Sequence, residues 1–136
     1  MGSKNQIRTL ICGAMLALPL SLQAADCDTL FGTLPDHSKD TSDEAKQMQS
    51  VSEDCDKKFP SEKDKANPKA DECFGQGMTD LANKGNYLAA TAVAENACHE
   101  NKMDDSKKWL NAVVNNAKAP KDDKDKAAQI VKNLGK

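Results

Sequence analysis

The segment 72–98, ECFGQGMTDLANKGNYLAATAVAENAC, constrains the fold more than any other part of the chain. Phe74, Met78 and Leu81 recur at steps of four and three beside Cys73 and Gly77, which is one face of a helix. Asn67-Pro68 is a start signal, because Asn accepts from free N–H groups and Pro at the first helical position wastes no donor. Gly85 suits the left-handed stop of that helix, and Asn86 can cap a second one. In the second, Tyr87, Ala90, Ala94 and Ala97 form a narrow stripe of mostly small residues that lets a neighbouring axis come close. The reading is an antiparallel hairpin with a cysteine at each outer end. A Cys73–Cys98 bridge would close a loop of roughly 25 residues and contribute about 3 kcal/mol on the chain-entropy relation.

Address bears on how the cysteines are read. Lys4 and Arg8 precede an apolar run from Ile11 to Leu22, too short to span a bilayer, and Ala24 offers a small residue for cleavage. This predicts a signal peptide over 1–24 and a single mature domain over 25–136. Cys12 leaves with the leader, so Cys27, Cys55, Cys73 and Cys98 remain. An even set in an exported protein reads as two disulfides. The expected location is the periplasm, or the medium outside the cell.

The remaining mature chain reads as more helix. Residues 28–34 suggest a short helix stopped by Pro35, with Leu30, Phe31 and Leu34 on one face. Thr41 and Glu44 have capping-box spacing. A helix over 42–58 follows, with Ala45, Met48, Val51, Cys55 and Phe59 along one side until Pro60. Cys27 would open this first pair of helices and Cys55 close it, the arrangement seen for Cys73 and Cys98. The expected pairing is therefore Cys27–Cys55 with Cys73–Cys98. The charged run SEKDKA at 61–66 is a solvated linker. Asp104-Asp105-Ser106 reads as the cap of a helix carrying Trp109, Leu110, Val113, Val114 and Ala117. After Pro120, a last helix carries Ala127, Ile130, Val131 and Leu134, with Gly135 as its stop. No useful alternating pattern occurs, so the expected fold is all-α, with hairpins at 25–60, 67–101 and 104–135.

Gly85-Asn86-Tyr87, Ala90 and Ala97 resemble the turn and second helix of a tetratricopeptide repeat or its Sel-type relatives. The first-helix positions would fall on Phe74, Met78 and Leu81. Met78 and Leu81 depart from the repeat's pattern, as does Ala94, where Phe is usual. One 34-residue period after Phe74 lies beside Trp109, and Ala127, Ile130 and Leu134 supply a further helix, so the resemblance covers about 71–134. It implies stacked hairpins with a concave face that receives a peptide or a partner's helix.

The chain offers little for catalysis. Its histidines are His37, in a loop, and His99, at a helix end where it complements the dipole. Neither begins a metal motif; there is no Cys-x-x-Cys, and Asp122, Asp123 and Asp125 lack the pattern of a calcium loop. No phosphate loop, dinucleotide fingerprint or nucleophile elbow occurs. The expectation is no enzyme, no cofactor and no metal. Arg8 is the chain's only arginine, and the mature part is more acidic than the −2 of the whole. An acidic, Arg-free domain is a poor nucleic-acid ligand. The expected partner is a protein, with no membrane insertion after cleavage, met through Asn83, Asn86, Tyr87, Asn111 and Asn115. The favoured role is an adaptor in an envelope assembly. The alternative is an inhibitor or immunity protein that plugs an enzyme with loop 60–66 or 100–105, and a third option is a structural or stress-linked periplasmic protein. Sequence leaves monomer or homodimer open.

Overall fold

A computed structural model describes residues 24–134, with Asp64 excepted. The expected leader over 1–24 therefore lies almost wholly outside the described residues, as does the expected Gly135 stop. Within them the chain is all-α. Six helices follow one another: α1 (Ala24–Phe31), α2 (Asp43–Lys58), α3 (Pro68–Asn83), α4 (Tyr87–His99), α5 (Met103–Val114) and α6 (Lys121–Asn133). The sole bridge outside them among the described residues pairs Glu62 with Lys65, in the exposed α2–α3 turn. No described helix is long and apolar enough to cross a membrane.

Helix ends follow the local chemistry. Asn67 accepts from Lys69 N–H with Pro68 at the first helical position, and Asn86 accepts from Ala89 N–H. Helix α3 ends in a Schellman motif: Gly85, at φ 95°, donates to Ala82 O, and Asn86 N–H donates to Leu81 O. Helix α4 repeats the motif on a residue that sequence reading passed over. Asn101, at φ 62°, donates to Cys98 O while Lys102 N–H reaches Ala97 O.

Three expectations shift. Ser42, not Thr41, caps α2, accepting from Ala45 N–H. Helix α1 starts earlier and stops at Phe31, four residues before Pro35. Ser106 does not cap α5, which begins at Met103. It is buried inside the helix, and its hydroxyl donates to Ala94 O at 2.8 Å. Asp104 and Asp105 stay in the first turn, near the positive end of the helix dipole.

Helix α4 is the hub. It packs on α1, α2, α3 and α5. Alanines make this feasible: Ala89, Ala90, Ala94 and Ala97 are buried, so several axes can close on one helix. Around it, Met78, Leu110, Val113, Ala127 and Ile130 complete the core. From α2 onward each helix packs on the next in sequence, whereas α1 packs on α4 and α6. The two helices expected to form the hairpin 25–60 thus share α4 as a neighbour in place of pairing as a hairpin, with α1 also meeting α6 and α2 meeting α3.

That placement overturns the expected cysteine pairing. The bridges are Cys27–Cys98, joining α1 to the end of α4, and Cys55–Cys73, joining α2 to α3, with Cα separations of 6.0 and 5.7 Å. Cys73 is near the start of α3, where the returning chain meets the end of α2. Cys98 is then left for α1, which lies against α4.

One helical turn from the Cys55–Cys73 bridge, Val51 of α2 faces Gly77 of α3. A Cβ on Gly77 would overlap the Val51 methyls. Valine has little χ1 freedom in a helix, so it cannot easily yield. Gly75, two residues away, faces open space. Gly77→Ala should therefore cost about 1–2 kcal/mol, overpacking offset by better helix propensity. Gly75→Ala should stabilise by about 0.5–1 kcal/mol. Denaturant midpoints check both, and adding Val51→Ala to Gly77→Ala should recover most of the loss. Equal effects at the two glycines would show that α2 and α3 are not in close contact here.

Candidate functional site

The side of α4 away from α5 is flanked by two clefts that share Ala92 and Glu95. The first, about 420 Å³, lies between α3 and α4; Phe74, Gly75 and Met78 face Val93, with Asp71 and His99 among its polar lining. The second, about 410 Å³, lies between α2, loop 35–40 and α4. Ala45, Met48 and Leu88 supply its apolar part, and His37, Asp40 and Glu95 part of its polar lining. They adjoin at Ala92 and Glu95 as a groove along α4 whose lining is part apolar and part polar, with acidic side chains and, among the described residues, no lysine. Phe74, 36% accessible, is the one exposed large apolar side chain among the described residues, and it lies in this groove.

Short-range sequence puts these side chains there. Phe74 and Met78 are i, i+4 on α3; Met78 turns into the core while Phe74 stays at the mouth. On α4 the small Ala92 leaves room for both clefts. The acidic side chains are Asp71 in the first turn of α3, Glu95, and Asp40 in the loop.

At one end of the groove, His37 is held between two carboxylates. Its Nδ1 is 3.1 Å from Asp40 Oδ2, and its Nε2 is 2.6 Å from Asp123 Oδ2. Only the imidazolium can donate from both nitrogens at once. Burial pushes the His37 pKa down, but the hydrogen bonds and charges of Asp123 and Asp40 outweigh it and leave it raised. Asp40 also accepts from Ser42 N–H, which holds its carboxyl below the usual range together with His37. Asp123 is buried in the first turn of α6, so the clamp ties the loop before α2 to α6. Tyr87 closes it with an edge-on contact, ring centroids 6.1 Å apart. Burial first, then the carboxylates around it, keep the Tyr87 phenol neutral.

At the other end, His99 Nε2 lies 3.2 Å from Asp28 Oδ1 and 3.8 Å from Glu95 Oε2. Asp28 follows Cys27 and His99 follows Cys98, so the disulfide fixes this meeting of α1 and α4.

The five expected contact residues separate. Asn86 is buried; its amide donates to Glu44 O and Gln47 Oε1, tying the α3–α4 turn to α2. Tyr87 is buried in the core, so neither side chain presents a surface to a partner. Asn83, Asn111 and Asn115 are exposed, on α3 and at or near the end of α5, and none lines the groove. Sequence reading missed Phe74 as a surface residue because its helical spacing marks it as core. It also missed the His37–Asp123 contact, whose partners are 86 residues apart. No family model, curated protein or solved structure matches the chain.

Proposed function

We propose that the protein is an exported, periplasmic binding module. Its groove along α4 takes an apolar segment of a partner protein that carries flanking basic residues. The observation that carries this reading is Phe74, a large apolar side chain held at the mouth of a part-apolar groove with acidic side chains. Aromatic anchors in such grooves dominate binding energy, and the acidic side chains favour a basic flank. Two disulfides suit an oxidising compartment, in keeping with export. The adaptor role in an envelope assembly rests on the sequence resemblance to stacked helical hairpins.

The test is site-specific photo-cross-linking in the native envelope. A cross-linker at Gly75, where an added side chain meets open space, should capture the partner, and one at Asn111 should not. Phe74→Ala should leave the fold intact and weaken capture by about 2 kcal/mol, or about thirtyfold. Capture of one hydrolase from loop 60–66 or 100–105, with none from Gly75, would replace this reading with the inhibitor. Equal capture from Gly75 and Asn111 would remove the groove from the account.

A further inference from the structure

We propose that Asp28, Glu95 and His99 form a binding site for a divalent transition metal of the zinc class. Ligand atoms of the three side chains lie within 4.8 Å of one another. Both carboxylates converge on a single nitrogen, His99 Nε2, at 3.2 and 3.8 Å. With metal–ligand bonds of 2.0–2.1 Å, the edge of a coordination tetrahedron is about 3.3–3.4 Å. The separations of 3.2 and 3.8 Å bracket that edge and the remaining pair lies within 4.8 Å, so rotations of these side chains would bring the three atoms to one face of such a tetrahedron.

Charge points the same way. Asp28 and Glu95 place two negative charges together, and a protonated His99 offsets only one. A dication with neutral His99 balances both. An imidazole between two carboxylates favours zinc-like ions over calcium or magnesium, which prefer all-oxygen shells. Glu95 and His99 are i, i+4 on α4 and so share a face. Asp28 comes from another helix, and its position is set covalently, because the residues just before Asp28 and His99 are the two halves of one disulfide. A ligand that would otherwise need long-range packing is thus held beside the other two, which lowers the ordering cost of binding. Three protein ligands leave a fourth position open, and Glu95 and His99 line the adjoining cleft.

The experiment is calorimetric titration of the oxidised full chain with Zn²⁺ near neutral pH, with the His99 ring signals followed by NMR. One equivalent should bind and shift the His99 signals, and excess Mg²⁺ or Ca²⁺ should not displace it. His99→Gln should abolish binding. Asp28→Asn and Glu95→Gln should each weaken it by about 10–100-fold or more, the loss known even for groups that only orient a ligand. His37→Gln should leave it unchanged. Opening the bridge with Cys27→Ser and Cys98→Ser should weaken it as Asp28→Asn does. Asp28→Asn keeps both the bridge and the fold, so it decides the matter if the serine variant unfolds. No Zn²⁺ binding, or binding that survives His99→Gln, overturns the site and leaves an ordinary ion-paired histidine.

Discussion

Replacing Cys27 and Cys98 with serine should destabilise the protein by about 4 kcal/mol, against about 3 kcal/mol for the Cys55 and Cys73 pair. The difference is one of loop length. The bridges span 71 and 18 residues, and the entropy removed from the unfolded chain grows with the logarithm of the loop. Local consequences should also differ. Helix α1 is held to the body by modest contacts with α4 and α6 plus this one covalent link. Hydrogen exchange should therefore show α1 opening in the Cys27/Cys98 variant while α2 to α5 stay protected. In the Cys55/Cys73 variant, the ends of α2 and α3 nearest the exposed 60–66 turn should fray instead. Non-reducing peptide mapping of the wild type should recover Cys27 joined to Cys98 and Cys55 joined to Cys73. Recovery of Cys27 joined to Cys55 would refute the packing of α1 described above.

His37→Ala should cost about 2–3 kcal/mol, because it leaves the buried Asp123 carboxylate without its charged partner. The same contact sets a pH dependence. The folded pKa of His37 lies above its unfolded value of about 6.5. Its contribution is therefore fully present below that unfolded value and is lost as pH rises through the raised folded value. Thermal midpoints should fall on the alkaline side of about 6.5, and His37→Gln should flatten that limb. Asp123→Asn, which keeps an acceptor for Nε2–H but removes the charge, should shrink the slope with a smaller loss of stability. The carboxyl of Asp40 runs the other way. Held below its ordinary value, it stabilises above the unfolded pKa, and that contribution is lost as pH falls through the folded one. An unchanged alkaline slope in His37→Gln would show that the clamp does not form in solution.

What could be read from sequence divides by distance along the chain. Asn67-Pro68, Gly85 and Asn86 act within a few residues, and their helix starts and stops were legible because capping is local chemistry. The all-α class followed from apolar spacing for the same reason. Asn101 was illegible because a left-handed stop on asparagine carries a weaker signal than one on glycine. Ser106 looked like a cap because Asp-Asp-Ser has cap composition, whereas its role is a bond to another helix. Cysteine pairing failed at the step from hairpin to tertiary structure: nothing in residues 24–31 states that α1 lies against α4 and α6. Of the expected contact residues, Asn86 and Tyr87 are buried and present no surface to a partner. Their roles are structural, one bracing the turn and the other covering the clamp.

The two bridges are nested, the 55–73 loop lying wholly inside the 27–98 loop. A chain delivered N-terminus first presents Cys27, then Cys55, to the oxidant well before Cys98 arrives. An oxidant that joins cysteines in order of appearance would make Cys27–Cys55 and then Cys73–Cys98, both of them wrong. The native protein therefore requires that Cys27 stay unpaired until α4 has folded, or that an isomerase reshuffle the early product. On the second route, yield should track disulfide-isomerase activity more closely than oxidant supply; on the first, it should track neither.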